Sequence, residues 1–236
     1  MPATLDAPKS LTPAAPAAPA AAAAPAPLAP PVSRERAPFT FVGERLWLDF
    51  VNSDTVRSVD ALHDFESMMW WFEAATVLDG ERAVGMRRRA REQPSGATAA
   101  LVDARRVRAA LRALAEGGAG AAAAEQVRRN ALGEINRVLG RSAGTRRVER
   151  RADGTYARAF VPVGDAFAGL MIPIVESAAD ALILGELPRV RRCADARCER
   201  VFYDETKNGR RRWCDMSTCG NRAKAARHRQ RMRRGD

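Results

Sequence analysis

The sequence predicts a mainly helical fold with a small β-hairpin element, which places the protein in the α+β class. Two long segments rich in Ala, Leu and Arg, at about 98–116 and 120–140, carry apolar residues at helical spacing. Before a further helical segment at about 165–185, the dipeptide Asp153-Gly154 suits the type I′ turn of a hairpin whose flanks are β-branched and aromatic. Shorter helical patterns precede all of these, so helix is expected to dominate.

Composition divides the chain into three parts. Residues 1–38 are mostly Ala and Pro, and such frequent prolines prevent a continuous helix. Because this part also has little apolar surface to bury, it is predicted to be a disordered tail. Residues 39–188 contain helical patterns with their own apolar faces and are predicted to fold as one domain. Leu187-Pro188 marks the end of that domain, and residues 189–236 form a C-terminal module.

Positive charge is concentrated in this C-terminal module. The formal net charge of the chain is +11, and its isoelectric point is about 10.7. Residues 189–236 hold 16 Lys and Arg against 6 Asp and Glu, a net charge of +10, whereas the other 188 residues have a net charge of +1. This pattern indicates a polyanionic partner, with nucleic acid favoured over an anionic membrane.

Four cysteines lie in two close pairs, Cys193 with Cys198 and Cys214 with Cys219, separated by fifteen residues. No secretory signal is visible, so a cytoplasmic, nucleoid-associated protein is predicted, in which clustered cysteines indicate a metal. Two pairs separated by a short loop are typical of zinc knuckles, and four thiolates complete a tetrahedral shell. One structural Zn²⁺ is therefore predicted. The alternatives are incidental buried cysteines, two disulfides or an iron–sulfur cluster.

The segments around the cysteines predict a treble-clef-like zinc finger. Between the pairs, a β-hairpin is expected, with arms at 201–203 and 210–213 and a turn at Lys207-Asn208-Gly209. After Cys219 the sequence contains no proline and many helix-forming residues, which predicts a helix to the C-terminus. Ala225, His228 and Met232 form a narrow stripe on this helix that is expected to contact the rest of the finger.

The hairpin return and the final helix carry the candidate nucleic-acid contacts. Arginine is used far more than lysine there, which suits bidentate contacts to phosphates or guanine edges. A solvated, charged C-terminus is the alternative interpretation. The residues predicted to bind double-stranded DNA are Arg210, Arg211, Arg212, Arg222, Lys224, Arg227, Arg229 and Arg231.

The run RRCADARCERVFYDETKNGRRRWCDMSTCGNRAKAARHRQR resembles the CGNR zinc finger family, whose motif stands here as Cys219-Gly220-Asn221-Arg222. Residues 39–188 resemble the ABATE domain of stress-induced transcription regulators, which is usually joined to that finger. The run LDFVNS at 48–53 is the clearest part of this second resemblance. Together the two resemblances cover about residues 39–234. They imply a transcription regulator that binds DNA.

The domain at 39–188 contains no recognisable catalytic constellation. The sequence shows no phosphate-binding glycine loop, nucleophile elbow or metal-hydrolase motif, so the protein is predicted not to be an enzyme. Asp49, Asn52 and Asp54 are interpreted as capping and turn residues rather than as the lining of a pocket. The residues of a ligand site cannot be assigned from the sequence.

The leading hypothesis is a zinc-dependent, DNA-binding transcription regulator whose domain at 39–188 senses a small-molecule effector or forms a homodimer. No membrane contact is expected, because no segment approaches about 18 uninterrupted apolar residues. Two other classes stay open. One is a basic zinc protein associated with RNA, and the other is an enzyme with its site in 39–188 and the finger as a targeting module.

Overall fold

The computed structural model describes residues 39–54, 60–117, 120–150, 154, 156–165 and 167–235, so the tail predicted at 1–38 lies outside the described residues. The helices are α1 Leu46–Val51, α2 Phe65–Ala74, α3 Gly80–Glu92, α4 Pro94–Glu116, α5 Ala121–Arg141, α6 Ile172–Ile183 and α7 Asn221–Arg234. The strands are β1 Gly144–Arg150, β2 Tyr156–Pro162, β3 Val190–Arg192 and β4 Val201–Tyr203. The protein is mainly helical with two antiparallel strand pairs, β1–β2 and β3–β4, which confirms the predicted fold class.

The short helix α1 lies at the centre of the hydrophobic core. Four of its six residues, Trp47, Leu48, Phe50 and Val51, are fully buried. A helix that is apolar nearly all round must be enclosed by other elements, and α1 contacts α4, α6 and β4. Trp71 of α2 meets Phe50 edge to face, with 5.1 Å between the ring centroids. The core therefore forms around α1, with α2, α4, α5 and α6 outside it.

Local signals explain where the helices begin and end. Asp64 caps α2 through a capping box with Ser67, and Asp79 accepts a hydrogen bond from an N–H in the first turn of α3. Pro94 stands in the first turn of α4, where proline lacks only an N–H that the helix does not use. Gly117 and Gly120, both at positive φ, separate α4 from α5. The two predicted long helices are confirmed, with boundaries shifted by a few residues.

Strands β1 and β2 form the predicted hairpin. Their antiparallel register runs from Gly144 opposite Pro162 to Arg150 opposite Tyr156. Gly154 in the connection has φ 87°, a left-handed conformation that favours glycine. The other residue of the predicted turn, Asp153, lies outside the described residues.

The second predicted hairpin is wrong in its pairing. Strand β4 pairs with β3 at 190–192, not with 210–213, where the structure has no strand. The tight turn forms as expected, with the N–H of Gly209 bonded to the carbonyl of Thr206. The buried carboxylate of Asp204 then accepts hydrogen bonds from the N–H groups of Thr206 and Arg211. Because of these bonds, residues 210–213 follow a wide loop instead of pairing with β4. One edge of β4 is in any case occupied by β3.

No helix within the described residues is long and apolar enough to span a bilayer. Below, "body" denotes the described residues of 39–188 and "finger" denotes residues 189–235.

Candidate metal centre and basic helix

The four cysteine sulfurs of the finger lie close enough to share one metal ion. All four Sγ atoms lie within 4.8 Å of one another. The Sγ atoms of Cys198 and Cys214 are 3.7 Å apart, and those of Cys214 and Cys219 are 3.8 Å apart. A tetrahedral ion with metal–sulfur bonds of about 2.3 Å separates its ligands by about 3.8 Å. All four cysteines are free thiols, so the alternative of two disulfides is not what the structure contains.

Short polar turns position the two cysteine pairs. In the first pair, the carboxylate of Asp195 accepts the N–H of Arg197, and the N–H of Cys198 bonds to the carbonyl of residue 195. In the second pair, Asp215 accepts hydrogen bonds from the backbone and hydroxyl of Ser217 and so begins the turn Met216–Gly220. This turn carries Cys219 and continues directly into α7. The metal site therefore lies at the base of the helix.

The electrostatics of the cluster favour a bound cation. Burial, together with the neighbouring thiols, raises the pKa of Cys214 and brings the pKa of Cys219 to about 11. Burial acts in the same direction on Cys193, but hydrogen bonds from the backbone of Cys214 and Asp195 lower its pKa below the ordinary value. Burial and mutual repulsion thus oppose ionisation of the cysteines. A divalent cation would offset this effect because it stabilises all four thiolates. Sulfurs no more than 4.8 Å apart have the spacing of ligands around a single tetrahedral ion, and a set of four cysteines fits a zinc finger.

Arg222 of the CGNR motif contributes to the metal centre itself. Its Nη2 lies 3.7 Å from the Sγ of Cys219, and its Nε lies 3.3 Å from the carboxylate of Asp195. The guanidinium therefore bridges the two cysteine pairs, and it would offset part of the negative charge of metal-bound thiolates.

Arg211 makes structural contacts within the finger and one with the body. It donates hydrogen bonds to the carbonyls of Trp213 and Cys214 and pairs with Glu44 of the body at 2.9 Å. Its guanidinium lies over the ring of Phe202, 4.5 Å from the centroid. Both Arg211 and Arg222 were predicted as DNA contacts from their charge. Glu44 and Asp195 are distant partners, whereas Trp213, Cys214 and Cys219 lie within three residues of the arginine that they contact.

Helix α7 packs against the rest of the finger through one face of its first two turns. Cys219 is buried, and Arg222, Ala223 and Ala226, at helical spacing from it, are half-buried. The predicted contact stripe of Ala225, His228 and Met232 is wrong, because all three residues are exposed. The position of the helix is therefore set by the buried Cys219 before it, with Ala223 and Ala226 on the same face.

The remaining predicted DNA contacts are accessible. Between 221 and 234 the sequence contains seven Lys and Arg and no Asp or Glu. The exposed members of the predicted set are Arg210, Arg212, Lys224, Arg227, Arg229 and Arg231.

Two polar residues of the LDFVNS run have structural roles in the body. The carboxylate of Asp49 accepts the N–H of Gly43 at 2.8 Å, which holds the loop before α1. The side chain of Asn52 bonds to Val201, which is 149 residues further along the chain. Because Val201 is so distant in sequence, no local pattern indicated this contact.

The titration of Asp49 gives the protein a measurable pH dependence. Burial, with a smaller effect of Glu44, raises the pKa of Asp49 to about 6 against hydrogen bonds that lower it. Between about pH 4 and 6 the folded state binds more protons than the unfolded state, so this group stabilises the fold less as pH rises. Replacing Asp49→Asn keeps an acceptor for Gly43 and removes this titration. The free energy of unfolding of the parent, minus that of the variant, is expected to rise by about 1–2 kcal/mol on lowering pH from 7.5 to 4.5.

Chemical denaturation of both proteins at several pH values measures this difference. Losses common to both, such as protonation of the thiolates, cancel in the subtraction. A difference that is constant with pH, or that falls as pH is lowered, contradicts the assignment.

The described fold and site define a mainly helical protein that carries a four-cysteine, zinc-finger-type site and a basic C-terminal helix. Comparison with protein-family models finds the CGNR zinc finger at residues 189–232. It also finds the ABATE family, described as "Putative stress-induced transcription regulator", at residues 44–185. The second match spans more than half of the chain, so the protein belongs to the ABATE family, with a CGNR finger at its C-terminus. No curated protein matches the sequence.

Proposed function

We propose that the protein is a zinc-dependent, DNA-binding transcription regulator. The observation that carries the proposal is helix α7, which exposes basic side chains along its length and is attached at its first turns to the four-cysteine site. The membership of the ABATE family and the CGNR finger support a regulatory role. We infer no catalytic activity for either part.

The metal in this proposal is one Zn²⁺ bound by Cys193, Cys198, Cys214 and Cys219. Four protein ligands leave no position for water, so the ion has a structural role. The apolar cluster of the finger is small, consisting of Phe202 with the cysteines and a few partly buried neighbours. The ion therefore replaces a hydrophobic core, and it joins β3 and its following turn to the start of α7.

Duplex DNA is the partner that fits α7. The helix has 14 residues and a length of about 21 Å, and the major groove of B-form DNA accommodates an α-helix. The major groove of A-form RNA is too narrow for side chains to read. Arg210 and Arg212 of the wide loop are exposed and add to the positive surface. Arg211 and Arg222 are excluded from the proposed contacts because they stabilise the finger.

The direct test is selection of bound fragments from genomic DNA by the zinc-loaded protein, followed by competition with structured RNA of equal length. We expect recovery of specific duplex fragments, weaker competition by RNA, and loss of binding after chelation of the metal. Preferential binding of RNA supports the RNA-associated alternative, and binding that is unchanged by chelation contradicts the dependence on zinc.

The body is the regulatory part in this proposal. We propose that it senses a small-molecule effector or forms a homodimer. Binding of the finger to DNA would associate the protein with the nucleoid of the cytoplasm. Size-exclusion chromatography and ligand-dependent melting of the full chain test both roles. A monomer whose melting temperature is unchanged by every metabolite screened contradicts them.

A further inference from the structure

The side chain of Asn52, in the LDFVNS run, binds the backbone of the finger. Its Nδ2 donates to the carbonyl of Val201 at 2.8 Å, and its Oδ1 accepts the N–H of the same residue at 2.9 Å. Asn52 is 6% exposed, and Val201 is fully buried. One amide side chain thus satisfies both backbone groups of a strand residue, as a neighbouring strand would.

Two further contacts join the same region of the finger to the body. The N–H of Tyr203 donates to the carbonyl of Gly43 at 2.9 Å. Arg112 of α4 donates to the carbonyls of Val51 at 2.8 Å and Glu199 at 3.2 Å, and its side chain is largely buried. The backbone of β4 and the residues before it are therefore held from three places in the body.

The side chains of β4 divide between two apolar clusters. Val201 belongs to the core of the body, and Tyr203 packs against that core. Phe202, which points to the opposite face of the strand, is fully buried against the cysteines of the finger. A three-residue strand thus has one face in the body and the other against the metal centre.

From this arrangement we infer that Asn52 is a positioning residue for the zinc site. By fixing Val201, it fixes the adjacent carbonyl of Arg200, which accepts the N–H of Cys193, and it fixes Phe202 against the sulfurs. The body thus preorganises the finger for metal, and the bound metal in turn holds the finger on the body. Such coupling is reciprocal. Docking of the finger on the body strengthens metal binding by the same factor by which metal binding strengthens docking.

The test compares two variants of the full chain from the same motif. Asn52→Ala removes both bonds to Val201. Ser53→Ala is the matched control, because Ser53 is equally buried but its hydroxyl donates to Phe50 and accepts from Arg108, both in the body. Zinc affinity is measured by competition with a chromophoric chelator. We expect Asn52→Ala to bind zinc about tenfold more weakly than the parent, and Ser53→Ala to bind it with nearly unchanged affinity.

The inference rests on the proposed zinc site. The possible outcomes distinguish failure of the zinc proposal from failure of the role of Asn52. A parent protein that binds no zinc contradicts the metal proposal itself. Equal zinc affinity in the parent and Asn52→Ala, or equal weakening by both variants, overturns the role of Asn52 alone.

A second measurement does not require the Asn52 variant to fold. Hydrogen exchange is followed in the parent with zinc and in full-length Cys193→Ser. Loss of metal should accelerate exchange of the amides of 46–54 by about tenfold, while those of α5 in the same body keep their protection. Unchanged exchange at 46–54 overturns the inference.

Discussion

Replacing Cys214→Ser is expected to abolish stoichiometric zinc binding and to unfold the finger. The structural metal contributes on the order of 10 kcal/mol to the folding of a small zinc module. Cys214 is fully buried among the other three sulfurs, and a serine oxygen is a poor zinc ligand at that position. Metal analysis of the purified chain should fall from one zinc to near zero, and the amide resonances of the finger should lose their dispersion.

The matched control is Lys207→Ala, an exposed residue of the wide loop that is not a member of the cysteine cluster. This variant should retain one zinc and a folded finger. A parent protein without zinc, or one with a coloured iron centre, contradicts the proposed metal.

The response of the body to the same substitution tests the division of the chain at 188. As an independent domain, the body would keep its full stability. Because Val201 of the finger is buried in the core of the body, we expect the body to remain helical but to melt at a lower temperature. Far-ultraviolet circular dichroism measures both the residual helix content and the shift in melting temperature.

The sequence predicted those parts of the structure that are determined by residues close to one another in the chain. Local patterns were sufficient for α4, α5 and the β1–β2 hairpin, because helical periodicity and a glycine at positive φ act within a few residues. The clustering of the four cysteines was predicted from their spacing, since two pairs with a short loop are typical of zinc knuckles.

The features that the sequence did not predict depend on which partner a residue takes in the folded finger. Strand β4 was assigned to a hairpin with 210–213, but Asp204 redirects that loop and β3 takes the pairing edge. Arg211 was assigned to DNA by its charge, and no sequence pattern indicated its carbonyl and aromatic partners in the finger. In both cases a charged side chain makes hydrogen bonds to the backbone of its own loop, which charge alone does not predict.

The finger contains residues that stabilise the fold as well as the proposed DNA contacts, so a test of DNA binding should remove only the contacts. Deleting the whole finger removes Val201 from the core of the body, so the body would be destabilised together with any DNA contact. Ending the chain after Ala226 keeps all four cysteines, the bridge from Arg222 to Asp195, and the half-buried Ala223 and Ala226. It removes most of the exposed basic helix. The truncated protein should bind zinc normally and lose DNA binding.

Within α7, Arg227 and Arg231 share one exposed strip at a spacing of four residues, and they are the sharpest probe of the DNA contact. If about five phosphates are engaged, the logarithm of the binding constant should fall with the logarithm of salt concentration at a slope of about −4 to −5. The double variant Arg227→Ala and Arg231→Ala should reduce the magnitude of that slope by about 2, provided both residues contact phosphates.

The matched control removes the same charge elsewhere, through Arg88→Ala and Arg91→Ala on the exposed surface of α3. This control should leave the slope nearly unchanged, since nonspecific attraction depends on charge near the contact rather than on net charge alone. Fluorescence anisotropy with a labelled duplex at several salt concentrations measures both slopes. If the double variant instead keeps its slope but tolerates a changed base, the two arginines read sequence rather than phosphate, because phosphate contacts position a protein without specifying a base. Equal slopes and equal affinities for the parent, the double variant and the control contradict DNA binding by α7.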